Sequence, residues 1–95
     1  MAKIYIVAYD VLNDDDDERR KELRDATASS FLDRYEHFEL SVYLVATRKG
    51  SAEEVYDVLD PYTKSRDRLL VGLVPKTYFN GCPGLLAWLK KNRAA

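Results

Sequence analysis

The sequence predicts an α+β fold, one domain in which a small antiparallel sheet alternates with helices, on three observations. Short runs rich in β-branched and aromatic residues recur at positions 4–11, 42–47 and 67–75, the composition of strands. Between them, residues 14–35 and 51–60 repeat apolar side chains at three- and four-residue steps, the helical period. The 95 residues are 46% hydrophobic and 33% charged, a balance that builds one core and leaves no room for a second.

Residues 4–11 form the first strand, with Ile4, Ile6, Ala8 and Asp10 on one face and Tyr5, Val7, Tyr9 and Val11 on the other. A helix follows over 14–35. The carboxylates of Asp14, Asp15, Asp16, Asp17 and Glu18 complement the dipole of its first turn, and Leu23, Ala26, Thr27, Ser30, Phe31 and Tyr35 recur along one side. Residues 37–40 and 42–47 read as two strand segments interrupted at Ser41, or one strand kinked there. Arg48-Lys49-Gly50 is a turn. Ser51-Ala52-Glu53-Glu54 is a capping box, so a second helix starts there, buries Val55, Val58 and Leu59, and stops at Pro61. Residues 67–75 give another strand, apolar on both sides, in which Gly72 permits close approach of a neighbouring backbone. After the loop Asn80-Gly81-Cys82-Pro83-Gly84, Leu85, Leu86, Trp88 and Leu89 make a short helix face, with Lys90, Lys91 and Arg93 at its C-terminal end.

This order is the ferredoxin-like βαββαβ pattern with an extra short C-terminal helix, its helices expected on one face of the sheet. An antiparallel sheet with one face in water alternates apolar with polar residues, and these strands do not. The surplus apolar face predicts a homodimer of two-fold symmetry, packed sheet on sheet or sharing a sheet edge.

Several classes are excluded. The longest apolar runs, 4–9 and 69–74, fall far short of the roughly 20 residues of a membrane helix. The N-terminus has one Lys before an apolar run that Asp10 ends, with no small-residue cleavage site after it, so a signal peptide is not expected and a cytoplasmic location is. One cysteine, Cys82, and one histidine, His37, build neither an intramolecular disulfide nor a structural zinc site. No glycine-rich phosphate loop or dinucleotide fingerprint is present.

The net charge of −1 conceals an asymmetry: residues 1–62 hold 15 acidic and 8 basic side chains, residues 63–95 hold 1 acidic and 7 basic. The C-terminal third therefore carries the electrostatic case for phosphate. Lys64, Arg66, Arg68 and Lys76, interleaved with Tyr62 and Tyr78, combine cations with rings able to stack on bases, against the plainer reading of solvated turn residues with Asp67 paired to a neighbour. Arg19 and Arg20 are further phosphate candidates, balanced against ion pairs along their own helix such as Asp16 with Arg20. Asp10 ends an otherwise apolar strand. Two-fold symmetry can bring it near its own copy, where two carboxylates and water suit Mg²⁺, with Mn²⁺ as substitute, and such a metal activates water against a phosphodiester. The alternative is an Asp10 bonded to loop N–H groups or to an arginine of the first helix. The run 14–18 lacks the alternation and glycine of a calcium loop. Ser41 reads as a polar bulge residue, His37 as a strand-start histidine, and Cys82 as structural.

The residues also carry a likeness. Ile4-Tyr5-Ile6-Val7-Ala8-Tyr9-Asp10-Val11, the polar turn with Arg19-Arg20-Lys21, and the step Ser41-Val42-Tyr43 resemble the CRISPR-associated protein two superfamily, the small ferredoxin-like dimer of the spacer-acquisition complex. The stretch from Ser51 through Leu59-Asp60-Pro61-Tyr62 and Asp67-Arg68-Leu69-Leu70-Val71 to Trp88-Leu89-Lys90-Lys91 is similar to its uncharacterised SinR-like and virulence-associated protein D-like relatives. The resemblance implies a homodimeric, metal-dependent endonuclease of antiviral defence acting on RNA or DNA within a larger protein complex. Asp10 then matches the metal-holding strand-end aspartate, and Ser41 the polar catalytic residue beside it. Leu44 stands where that family often has Glu, and the glycine-flanked loop and Trp88 helix replace a terminal strand. The alternative is a noncatalytic homodimeric interaction module, an adaptor or toxin–antitoxin component of the same fold.

Overall fold

The computed structural model describes residues 2–11, 17–36 and 42–93. In chain order these form β1 (Lys3–Asp10), α1 (Asp17–Ser29), β2 (Asp33–Tyr35), β3 (Val42–Thr47), α2 (Ala52–Leu59), a 3-10 turn at Asp60–Tyr62, β4 (Arg68–Leu73) and α3 (Leu85–Arg93). The strands make one antiparallel sheet in the order β2-β3-β1-β4. Central β1 sets Tyr5 against Val45 of β3 on one side and Leu73 of β4 on the other, and its last residue, Asp10, against Arg68.

Strand parity distributes the two cores. Tyr5, Val7 and Tyr9 of β1, with Tyr43 and Val45 of β3, face α1 and α2 and pack on Leu23, Ala26, Val55 and Leu59. Tyr5, Val7, Leu23, Val55 and Leu59 are completely buried. Each aliphatic side chain so buried contributes about 1.5–3 kcal/mol. The opposite face, Ile4, Leu44 and Ala46 with Tyr35, receives Leu85 and Leu89 of α3. The helices are therefore not confined to one face, as expected from the element order, because α3 crosses to the other. Its apolar residues Leu85 and Leu89 are one helical turn apart, which aims both at the sheet. Tyr35 Oη donates to Pro83 O (2.9 Å) and Asn92 Nδ2 to Asp33 Oδ2 (3.2 Å), pinning the loop before α3 and the helix's last turn to β2.

The first helix ends at Ser29, and residues 33–35, read from sequence as its last turn, are instead the edge strand β2. Thr27 Oγ1 and Ser29 Oγ donate back to Arg24 O (2.8 Å) and Asp25 O (2.9 Å), local hydroxyl bonds that weaken a helix terminus. Leu32 N then donates to Ala46 O (2.8 Å) and draws the chain into the sheet. The strand expected over 37–40 lies outside the described residues, as does Ser41. The Ser51 half of the capping box is formed, Glu54 N donating to Ser51 Oγ (3.2 Å), while the Glu54 carboxylate reaches back one residue further and accepts from Gly50 N (2.8 Å).

Candidate functional site

α3 covers only the end of its face near Ile4, Leu44 and Ala46. Toward the other end, Leu70 is 62% exposed, and beyond it Asp10 and Arg68 stand in register on neighbouring strands, both exposed. Among the described residues, no hydrogen bond or ion pair engages either side chain. Opposite charges one strand spacing apart, both open to water, form a rim that can receive an anion at Arg68 and a cation at Asp10.

The approach to this rim is set by the turn between the 3-10 segment and β4. Asp67 N donates to Lys64 O (2.9 Å), and the Asp67 carboxylate accepts from Lys64 N (2.9 Å), closing the turn from within. The same carboxylate receives the Arg19 guanidinium, and the pair is nearly removed from water, at 11% exposure for the Arg19 side chain and 2% for that of Asp67. Arg20 Nη2 donates to Val11 O (3.0 Å), just past the end of β1. Arg19 and Arg20 thus work as struts that hold α1 against both sides of the rim. Sequence reasoning anticipated a partner for Asp67 without naming it; Arg19 and Asp67 are 48 positions apart, and no local pattern links them. The Asp16–Arg20 pairing considered from sequence falls on a residue outside the described set.

Lys64, Arg66 and Arg68 are exposed. Lys64 and Arg68 line an open cleft of about 490 Å³ together with Tyr56, Asp60, Thr63, Ser65, Asp67 and Leu69. Thr63 Oγ1 donates to Asp60 O (2.8 Å), and a hydrogen bond to the Asp60 carboxylate, with its charge, holds the Tyr56 phenol above its ordinary range. Three hydroxyls, those of Tyr56, Thr63 and Ser65, and two cations therefore line one concavity with two carboxylates, of which Asp67 is already neutralised by Arg19. Tyr56, Thr63 and Ser65 were not singled out from sequence. The polar run 63–66 after Asp60-Pro61 was the available signal.

A second cleft, of about 400 Å³, lies on the α3 face between Ile6, Leu44, Val74 and Leu85 and the loop of Thr77, Tyr78, Phe79 and Cys82. Tyr78 is 88% exposed and Phe79 42%. Cys82 Sγ contacts Asn80 O (3.7 Å).

Among the described residues, no three His, Cys, Asp or Glu side chains are grouped as metal ligands. Mg²⁺ commonly takes one or two carboxylates and completes its shell with water and phosphate oxygens, so a site at this rim would rest on the single carboxylate of Asp10. No helix among the described residues is long and apolar enough to cross a membrane.

The fold and rim define a small α+β protein with an open sheet end at which Asp10 and Arg68, both exposed, stand in register. No family model, no curated protein and no solved structure matches this chain.

Proposed function

We propose that the chain is a ferredoxin-like, homodimeric nucleic-acid-binding protein, similar to the CRISPR-associated protein two superfamily. In this reading Lys64, Arg66 and Arg68 take phosphates, and Asp10 holds Mg²⁺ for phosphodiester cleavage. The observation that carries it is the register of Asp10 with Arg68 at the uncovered end of the sheet, beside the cleft that Lys64 and Arg68 share. The antiparallel order β2-β3-β1-β4, with a helix after β1 and another after β3, supports the ferredoxin-like assignment. Bound Mg²⁺ lowers the pKa of coordinated water and neutralises phosphate charge. The chain's own part is positional. Arg68 fixes a phosphate beside Asp10, the Arg19–Asp67 strut fixes Arg68, and Ser41 contributes hydrogen bonds to the reacting group.

The test is cleavage of end-labelled single- and double-stranded RNA and DNA with Mg²⁺, Mn²⁺ or EDTA, comparing wild type with folded Asp10→Ala. Metal-dependent cleavage lost in the variant is the expected result; cleavage equal in both proteins removes Asp10 from the chemistry. A second reading, a noncatalytic interaction module that docks another protein, is favoured by the exposed apolar side chains Tyr78, Phe79 and Leu86 around α3. It predicts no nucleic-acid binding at any salt concentration.

A further inference from the structure

We infer that the homodimer forms by antiparallel pairing of β4 with its own copy, which joins the two sheets into one and gives each protomer its own Asp10 site. The inference rests on the proposed homodimer and specifies its surface.

Among the described residues β4 is an edge strand, paired with β1 alone. Val74 N donates to Ile4 O (2.8 Å), which fixes the alternation of the ladder: Gly72, Leu70 and Arg68 direct their backbone groups at β1. The N–H and C=O groups of Leu69, Val71 and Leu73 therefore point outward. Among the described residues no backbone partner reaches them. Natural edge strands are guarded by charge, proline or a bulge, and residues 69–73, Leu-Leu-Val-Gly-Leu, contain none of these. Along the same strand Leu70 is 62% and Leu73 52% exposed.

A second copy of this strand is the occupant that these residues fit. With the two-fold axis at Val71, the outward groups of Leu69 and Leu73 bond those of the partner's Leu73 and Leu69, and Val71 meets itself. On the open face each Leu70 lies opposite the partner's Gly72, a position without a side chain, where an added Cβ would already stand 3.5 Å from Ile6 Cγ2. On the helix face each exposed Leu73 meets the partner's Leu69. Both exposed leucines thus gain apolar cover from the same operation, and the Arg68 side chains do not oppose each other. Standard strand spacings place the two Asp10 carboxylates on one face of the joined sheet, roughly 25 Å apart. Each metal then uses a single Asp10, completed by phosphate and water, instead of a carboxylate pair.

The experiment combines molar mass by light scattering with residue-resolved amide exchange on the full chain. The wild type is expected to be a dimer in which the amides of Leu69, Val71 and Leu73 are protected and become fast-exchanging on dilution into monomer. Leu70→Lys/Leu73→Lys, at two positions already open to water in the protomer, is expected to weaken dimerisation at least about a hundredfold, while Tyr78→Lys leaves it unchanged. A wild type that remains monomeric up to about 1 mM overturns the inference. So does a dimer in which those three amides exchange freely. Should the double lysine variant fail to fold, the wild-type exchange pattern decides the question. Nucleic-acid binding is read separately on the monomeric variant: a retained, salt-dependent affinity supports the phosphate site whether or not this dimer exists.

Discussion

Replacing Asp67 by Asn tests the strut beneath the rim. The native carboxylate is 2% exposed, holds the Arg19 guanidinium and accepts the backbone N–H of Lys64. The amide is nearly isosteric and still offers an oxygen to Lys64, so the change isolates the charge. Breaking a buried ion pair from one side costs about 3–5 kcal/mol, because the remaining charge is left without compensation. Arg19 keeps some access to water at 11% exposure, which places the expectation at the lower end, about 3 kcal/mol. In urea this appears as a lower midpoint at unchanged slope, the signature of altered stability without altered compactness. A double-mutant cycle with Arg19→Met should recover at least about 1.5 kcal/mol of coupling between the two sites. If Asp67→Asn loses less than about 1 kcal/mol, or the cycle shows no coupling, the pair is not the lock between α1 and the β4 turn.

Further expectations concern the packing of α3 and the caps. Burial pushes the Asp33 carboxyl up, but the Arg34 N–H, the Asn92 amide and the Lys91 ammonium outweigh it and hold the group below its ordinary value. A depressed carboxylate stabilises the fold above its unfolded pKa, near 4, and loses that contribution as pH falls through the folded value. Wild type should therefore exceed Asp33→Asn at pH 7 by at most about 1 kcal/mol, a gap that narrows as the pH of parallel urea titrations falls below about 4. Trp88 Nε1 is buried with no hydrogen-bond partner among the described residues, so Trp88→Phe should lose less stability than its area implies, under about 1 kcal/mol; a loss above about 3 kcal/mol contradicts this. Leu59→Ala, at a fully buried site between α2 and the sheet, should cost about 2–5 kcal/mol by thermal or urea unfolding. Ser51→Ala should cost about 1 kcal/mol in the same assay through loss of the α2 cap.

The sequence was most legible where structure is local. Residues 42–47 form β3 as expected, β1 and β4 fall within a few residues of the expected bounds, and the Ser51–Glu54 cap is made. β2 was misread because Asp33-Arg34-Tyr35 has no strand pattern of its own; pairing with Leu44, Val45 and Ala46 makes it a strand. Arg34 then packs over the Tyr43 ring at 4.6 Å and donates to Arg24 O, a tertiary compensation that propensity does not encode. Both faces of the sheet carry a core, and the surplus apolar surface from which a homodimer is expected is covered in part by α3 within the chain, while Leu70 stays exposed. The candidate site was half legible. Asp10 and the cations 64–68 stood out as residues, but the meeting of Asp10 with Arg68 at one rim follows from the β1–β4 register, which sequence parity left open.

The central claim is phosphate binding by Lys64, Arg66 and Arg68, and the direct measurement is the salt dependence of affinity for labelled single- and double-stranded oligonucleotides by fluorescence anisotropy. Three phosphate contacts per protomer predict that log K falls with log salt at a slope of about −2 for single strands and nearly −3 for duplex. The Lys64→Ala/Arg66→Ala/Arg68→Ala variant, folded by circular dichroism, should lose most of both the affinity and the slope. Wild-type binding with no salt dependence, or a triple variant that binds with the wild-type slope, contradicts the account.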